Sequence, residues 1–146
     1  MNQKEIMQKI DYVIENSEVG ILTTVDTEGN PHTRWMTPTT LERRHGFLYC
    51  VTSTKFNKIS HIKHNPIVEW MVQTKALDEV VTIQGKMNIV DAPTIKSELL
   101  EKIADRLQVF WKLNDDISTL IVLETIIQEV TFFLPMTGKK ETVVFA

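Results

Sequence analysis

The spacing of apolar residues changes several times along the chain, and each change predicts a new element. Apolar residues at helical spacing predict a helix over residues 2–16. The alternation typical of strands then predicts a strand over 19–26, a hairpin loop over 26–30 and a return strand from His32 to about Leu41. Pro38 lacks an N–H group, so this return strand should lie at a sheet edge or a bulge.

The stretch over residues 47–66 combines a strand, a hydroxyl-rich turn and an amphipathic helix. Thr54 is the best N-cap candidate, and Asn65-Pro66 ends the predicted helix. A helix start carries unpaired N–H groups and a partial positive charge, which suits a phosphate. Lys58, about one turn in, adds a full charge. The spacing places Phe56, Ile59, Ile62 and Lys63 on one face, and Lys55, Lys58 and His61 on another. An ordinary capped surface helix is the alternative.

The second half of the chain continues mainly as strands. Gly85 lies inside one of them and predicts a bulge that permits barrel curvature. Asp91 is the predicted N-cap of a third helix that continues to about Leu107. The predicted strands here span 67–73, 79–90, 120–125, 128–134 and 142–145. Six or seven strands, mostly in hairpin succession with three helices, predict a mainly β (α+β) fold: an antiparallel barrel in one domain over residues 1–146.

Composition narrows the class of protein without choosing a function. The chain has 146 residues with a net charge of −3, which argues against an extended nucleic-acid surface. Cys50 is the single cysteine, so no intrachain disulfide can form and a reducing compartment is expected. The most apolar region, 120–135, is interrupted by Glu124 and Glu129 and is too short to span a bilayer. We therefore expect a cytoplasmic protein outside the membrane.

An ordered set of segments resembles a known family. The set is GILTTVDTEGNPHTRWM, LYCVTSTKFNKISHIKHNP, IVEWMV and VVTIQGKMNIV. It is similar to the pyridoxamine 5′-phosphate oxidase-like, FMN-binding split-barrel superfamily, above all to its general stress protein branch, over nearly all of residues 5–135. The resemblance implies a six- to seven-stranded split β-barrel with peripheral helices. It also implies a homodimer that binds FMN in two equivalent clefts at the subunit interface.

The resemblance implies a role for each matching residue. The phosphate of FMN would face Thr52 and Ser53 and be neutralised by Lys58. Asn57 stands where the classical oxidases carry a second basic residue, and Arg34 would compensate for that loss. The isoalloxazine ring would lie along Arg34, Trp35, Met36 and Thr37. The alternative for this last segment is a barrel strand with an exposed arginine and one aromatic residue in the core.

Departures from the family pattern shape the expected activity. No arginine follows Arg106, so the segment that holds the substrate phosphate in vitamin B6 oxidases is missing. Phe132 and Phe133 stand where the general stress branch tends to carry a tryptophan, and either of them could contact the ring. The expectation is a small flavin-dependent oxidoreductase that exchanges electrons with a nicotinamide cofactor or another small molecule. The flavin carries the redox chemistry, so no catalytic side chain is expected.

The sequence leaves several alternative functions open. The barrel could store or sense FMN without turnover, bind haem or a deazaflavin, or form a dimer with an empty cleft. His61 and His64 are three apart on a helix, but no further metal ligand follows, so solvated side chains are expected. Cys50 lies in an apolar strand without an adjacent basic residue, which indicates a buried structural thiol.

Overall fold

A computed structural model describes residues 1–53, 58–104 and 120–145 of the chain. Three helices and seven strands follow one another in these ranges. The helices are α1 (Gln3–Ser17), α2 (Lys58–His64) and α3 (Pro93–Ile103). The strands are β1 (Gly20–Val25), β2 (Pro31–Met36), β3 (Phe47–Ser53), β4 (Ile67–Gln73), β5 (Val80–Val90), β6 (Leu120–Leu134) and β7 (Lys139–Val144).

The seven strands form one antiparallel sheet. Its order is β2-β1-β4-β5-β6-β3, and β7 pairs with β6 beyond the end of β3. The outermost strands β2 and β3 share no ladder. The segment after β2 instead reaches β3 through one bridge between Thr39 and Tyr49, with N···O distances of 2.8 and 2.7 Å. The predicted mainly β fold, an antiparallel seven-stranded split barrel with peripheral helices, is confirmed.

Two apolar clusters hold the fold together. The larger one fills the barrel, where Trp70 is fully buried and donates from Nε1 to Thr125 Oγ1 over 3.1 Å. Helix α1 contributes its apolar stripe to this cluster, and its first turn is fixed by a capping box between Asn2 and Glu5. The smaller cluster lies between α3 and the other face of β3, around Tyr49 and Leu99. Strand β3 therefore separates two interiors, because successive side chains point to opposite faces.

Gly85 marks the bulge that the sequence predicts. The register between β5 and β6 shifts at Gln84/Gly85. A Cβ at Gly85 would lie 2.3 Å from the carbonyl oxygen of Ile126, closer than any real contact. The prediction that this glycine permits the curvature of the barrel fits both observations.

Three predicted boundaries are wrong. The return strand ends at Met36 rather than near Leu41, because Pro38 cannot join a ladder and the chain leaves β2 before it. The two strands predicted over 120–134 are one strand, β6. Helix α3 has Ala92 as its N-cap without a side-chain hydrogen bond, so Asp91 does not cap it. The predicted cap Thr54 and the predicted end of α3 at Leu107 lie outside the described residues.

Within the described ranges, no helix combines the length and the apolar character needed to cross a membrane.

Candidate functional site

Strand β2 presents Arg34 and Trp35 to opposite sides of the sheet. Arg34 is half-buried and donates from Nη2 to Thr24 Oγ1 over 2.8 Å and from Nη1 to the Leu22 carbonyl over 3.5 Å. Burial lowers the pKa of Arg34 from its ordinary value. Trp35 is 79% exposed on the other side. The alternative of an exposed arginine with a core aromatic is therefore wrong, because the strand turns its cation inward.

Lys58 brings a second cation to the same place. Its side chain is only 6% exposed, and desolvation lowers its pKa to about 8, with a further lowering effect from Arg34. The predicted face assignment on this helix is wrong at two positions, since Lys58 is buried and Lys63 is exposed. Lys58 and Ile62 lie four residues apart and share the face of α2 that packs toward the barrel.

Thr52 carries a buried, unsatisfied hydroxyl near the end of β3. Its side chain is 2% exposed, and its Oγ1 is buried without a hydrogen-bond partner among the described residues. Thr52 shares a face of β3 with Cys50, the residue on which Lys58 and Arg34 both act electrostatically. A buried hydroxyl without a partner costs about 1–3 kcal/mol, so a ligand with oxygen acceptors fits this position. Two cations and this hydroxyl suit a phosphate group.

The other predicted phosphate and ring residues differ in how the structure places them. Ser53 is fully buried at the end of β3, on the face opposite to Thr52. Met36 is half-buried against the barrel core, and Thr37 is half-buried just beyond the end of β2. Asn57 lies outside the described residues.

Cys50 lies near Lys58 and Arg34, and its thiol is expected to be unreactive. The thiol is fully buried, and burial raises its pKa to about 12. The sequence-based view that no basic group lies near it is wrong, because Lys58 and Arg34 both oppose this rise. Desolvation outweighs both cations, which leaves a structural thiol as predicted.

Two histidines form a group that the sequence analysis did not identify. His61 is half-buried rather than solvated, and its Nδ1 lies 3.2 Å from Thr24 Oγ1. Its ring lies 4.8 Å from that of His32, measured between centroids. His32 in turn donates from Nε2 to Asp26 Oδ2 over 2.8 Å. Among the described residues, no group of three metal-binding side chains is present.

The outer face of the sheet carries a groove lined by both apolar and polar side chains. Its volume is about 390 Å³, and its lining includes Met71, Val80 and Phe133 with Glu69 and Lys140. Met71 is 42% exposed and Phe133 is 36% exposed. Phe132 points the other way into the barrel core, so only Phe133 is available for an outside contact.

Several solved structures share this fold. One is a protein related to general stress protein 26 from Clostridium acetobutylicum, with a TM-score of 0.75 and 15% identity over 99% of this chain and 97% of that chain. Another is a pyridoxamine 5′-phosphate oxidase-related, FMN-binding protein from Nostoc punctiforme, with a TM-score of 0.66 and 14% identity over 95% and 96%. A third is a haem-binding protein from Mycobacterium smegmatis, with a TM-score of 0.65 and 21% identity over 90% and 55%. At such identities the likeness shows the fold alone.

The sequence itself identifies the family. No protein with a curated description matches it significantly. The family described as pyridoxamine 5′-phosphate oxidase-like does match, over residues 5–140, which is almost the whole chain. This chain therefore belongs to the pyridoxamine 5′-phosphate oxidase-like family.

Proposed function

We propose that this protein binds FMN and acts as a small FMN-dependent oxidoreductase. The observation that carries the proposal is the buried hydroxyl of Thr52, which has no partner in the described residues and lies on the strand face toward Lys58 and Arg34. A phosphate would supply the missing oxygen acceptor and neutralise the two cations. The family match and the FMN-binding relative from Nostoc punctiforme support the choice of FMN.

The proposal gives the described residues distinct binding roles. Thr52 would donate to a phosphate oxygen, while Lys58 and Arg34 would balance its charge. The β2 segment that carries Trp35 and Met36, followed by Thr37, would lie along the ring, and its backbone groups would contact the polar edge of the ring. Asn57 stays a proposed contact at the phosphate end, and so does Ser53, which would have to reach the phosphate from the end of β3 because its side chain faces away from Thr52. When bound, FMN would supply the electron-transfer chemistry, and the side chains would bind it, orient it and exclude water.

We also propose that two copies of the chain form the complete binding site. Trp35, Met71 and Phe133 lie exposed on the outer face of the sheet, and a second copy would cover this apolar surface. Trp35 and the adjacent β2 backbone then place the ring side of the cleft next to the partner. A homodimer with two equivalent clefts accounts both for the cations on the inner side of the sheet and for the exposed Trp35 on its outer side. A nicotinamide cofactor or another small oxidised molecule would reach the ring from the open side.

The direct test is the visible spectrum of the untreated protein, before and after reduction with dithionite. A flavin spectrum that bleaches on reduction, with FMN identified by mass spectrometry of the released cofactor, is the expected result. A Soret band would show haem instead and would overturn the flavin proposal. Bleaching by NADH or NADPH supports an oxidoreductase, whereas bound FMN that neither donor reduces would point to storage or sensing.

If the protein is purified without cofactor, added FMN must raise its melting temperature, because a ligand of the folded state alone stabilises it. Riboflavin, which lacks the phosphate, is the matched probe and should stabilise the protein much less. Equal effects of FMN and riboflavin would show that Lys58 and Thr52 do not bind the phosphate. No effect of either compound would remove the proposed function.

A further inference from the structure

A chain of polar contacts leads from the phosphate-binding cations to the surface. Arg34 Nη2 donates to Thr24 Oγ1 over 2.8 Å, and the same oxygen lies 3.2 Å from His61 Nδ1. His61 then packs against His32, which is paired with Asp26. Thr24 is fully buried, so its hydroxyl exchanges no hydrogen bond with solvent. His61 is therefore coupled to Arg34 through one shared oxygen.

The hydrogen bond between Thr24 and His61 takes a different direction in the neutral and the protonated ring. Arg34 can only donate, so Thr24 Oγ1 must accept from it. The hydroxyl hydrogen is then available for His61 Nδ1, which accepts it when the ring is neutral with its hydrogen on Nε2. Protonation of Nδ1 reverses this bond, since the ring would donate to Thr24. The hydroxyl hydrogen must then turn to another acceptor.

The charges around His61 explain which form the ligand-free protein prefers. Desolvation lowers the pKa of His61, and His32 and Arg34 lower it further, whereas Asp26 raises it. Lys58 lies one turn earlier on the same helix and adds positive charge to this region. A dianionic phosphate held by Arg34 and Lys58 would reverse the sign of the local field. Its oxygens would also provide new hydrogen-bond acceptors at this cluster.

We propose that His61 is a positioning residue of the anion site and takes up a proton at Nδ1 when a phosphorylated ligand binds. The proposal rests on the proposed function and adds a proton to its binding step. The imidazolium then donates to Thr24 and contributes a third positive charge beside Arg34 and Lys58. Since the bound form holds one more proton, this contribution strengthens affinity as the pH falls through the range in which His61 titrates.

The direct test follows the four histidine rings by NMR during pH titrations with and without FMN. Spectra of His61→Gln and His64→Gln assign the two helix signals, and His64 is the matched control because it is exposed on the same helix. The expected result is a pKa of His61 that rises by roughly one unit on FMN binding, while the His64 signals do not respond to FMN. A His61 pKa that does not move while FMN is bound overturns the inference.

A second measurement separates this inference from the function on which it rests. FMN affinity is determined for the wild type and for His61→Gln at pH 6 and pH 8. Glutamine keeps a hydrogen-bonding group near Thr24 but cannot titrate, and the ionisation of FMN and of Lys58 affects both proteins alike. The wild type should bind FMN more tightly than His61→Gln, and this ratio of affinities should be at least about threefold larger at pH 6 than at pH 8. If FMN affinity depends on pH equally in both proteins, the role of His61 is refuted and the proposed function stands. If neither protein binds FMN, the proposed function itself is refuted.

Discussion

Replacing Lys58 with methionine should stabilise the ligand-free protein and weaken its binding of FMN. Methionine keeps the length of an unbranched side chain in a position that is 6% exposed, and it removes the ammonium group. The pKa of Lys58 falls from 10.5 to about 8 in the folded protein because burial penalises the charged form. Desolvation is the largest cause of this shift, and it outweighs the raising effect of Cys50. The net effect of the charge on folding is therefore unfavourable.

The size of this effect follows from the same pKa. Each unit of difference corresponds to about 1.4 kcal/mol, so the charged lysine disfavours the folded state by roughly 3 kcal/mol at most. Relaxation around the new side chain reduces the gain, and we expect Lys58→Met to add about 1–3 kcal/mol at pH 7. For a chain of this size the melting temperature should rise by about 2–12 °C. FMN affinity should fall by about 1–3 kcal/mol, the usual size of a lost charge-assisted contact.

The pH dependence gives the sign of the effect independently. Because the pKa of Lys58 is lowered on folding, its unfavourable contribution is complete below pH 8 and disappears as the pH rises toward 10.5. The stability difference between wild type and variant should therefore shrink over this range. Urea unfolding at pH 7 and pH 10 measures it, with Lys63→Met as the control because Lys63 is exposed on the same helix. A variant that is less stable than the wild type at pH 7, or a difference that stays constant with pH, would refute the reasoning.

Four further substitutions, one of them a control, test other features. Gly85→Ala should cost about 2–4 kcal/mol in urea unfolding, because its Cβ would meet a carbonyl oxygen at 2.3 Å. Gly138→Ala, where no atom lies within 4 Å, should cost only about 1 kcal/mol for its positive φ, and equal losses would contradict the packing argument. Tyr49→Phe removes the hydroxyl that donates to buried Glu124 over 2.7 Å, and it should cost about 1–3 kcal/mol. Unchanged stability would show that Glu124 finds another donor. Trp35→Glu should yield monomers in sedimentation experiments and weaken FMN binding; a dimer with wild-type affinity would place the subunit interface elsewhere.

Local rules carried most of the fold prediction. The hairpin between β1 and β2, the edge position of the strand before Pro38 and the bulge at Gly85 each depend on residues close in sequence. The division of β6 into two strands failed for a related reason. The register shift at Gly85 changes which alternate residues of β6 face the interior, so Ile127 is buried before it and Val130 after it. A single period therefore does not run through this strand.

The candidate site was harder to predict from the sequence than the fold, because it depends on how α2 packs against the sheet. The hydroxyl-rich turn and Lys58 one turn into the helix were predicted from the sequence, and the family resemblance gave Thr52 and Lys58 their roles. Helical spacing, however, placed Lys63 rather than Lys58 on the apolar face. Thr24 and His61 lie 37 residues apart, and no local pattern links them. Their contact exists only once α2 covers the inner side of the β1–β2 hairpin. The inward alternation of His32 and Arg34 was the one available signal for this cluster.

The open seam of the barrel gives a bound phosphate a mechanical consequence. Arg34 belongs to the strand at one end of the sheet order, and Thr52 belongs to the strand at the other end. Apart from the bridge between Thr39 and Tyr49, no ladder of the described residues fastens these two strands together. A ligand held by both residues would work as a clasp across the gap. It would connect β2 and β3, the strands at the two ends of the sheet order, so that the barrel as a whole would resist opening while the ligand is bound.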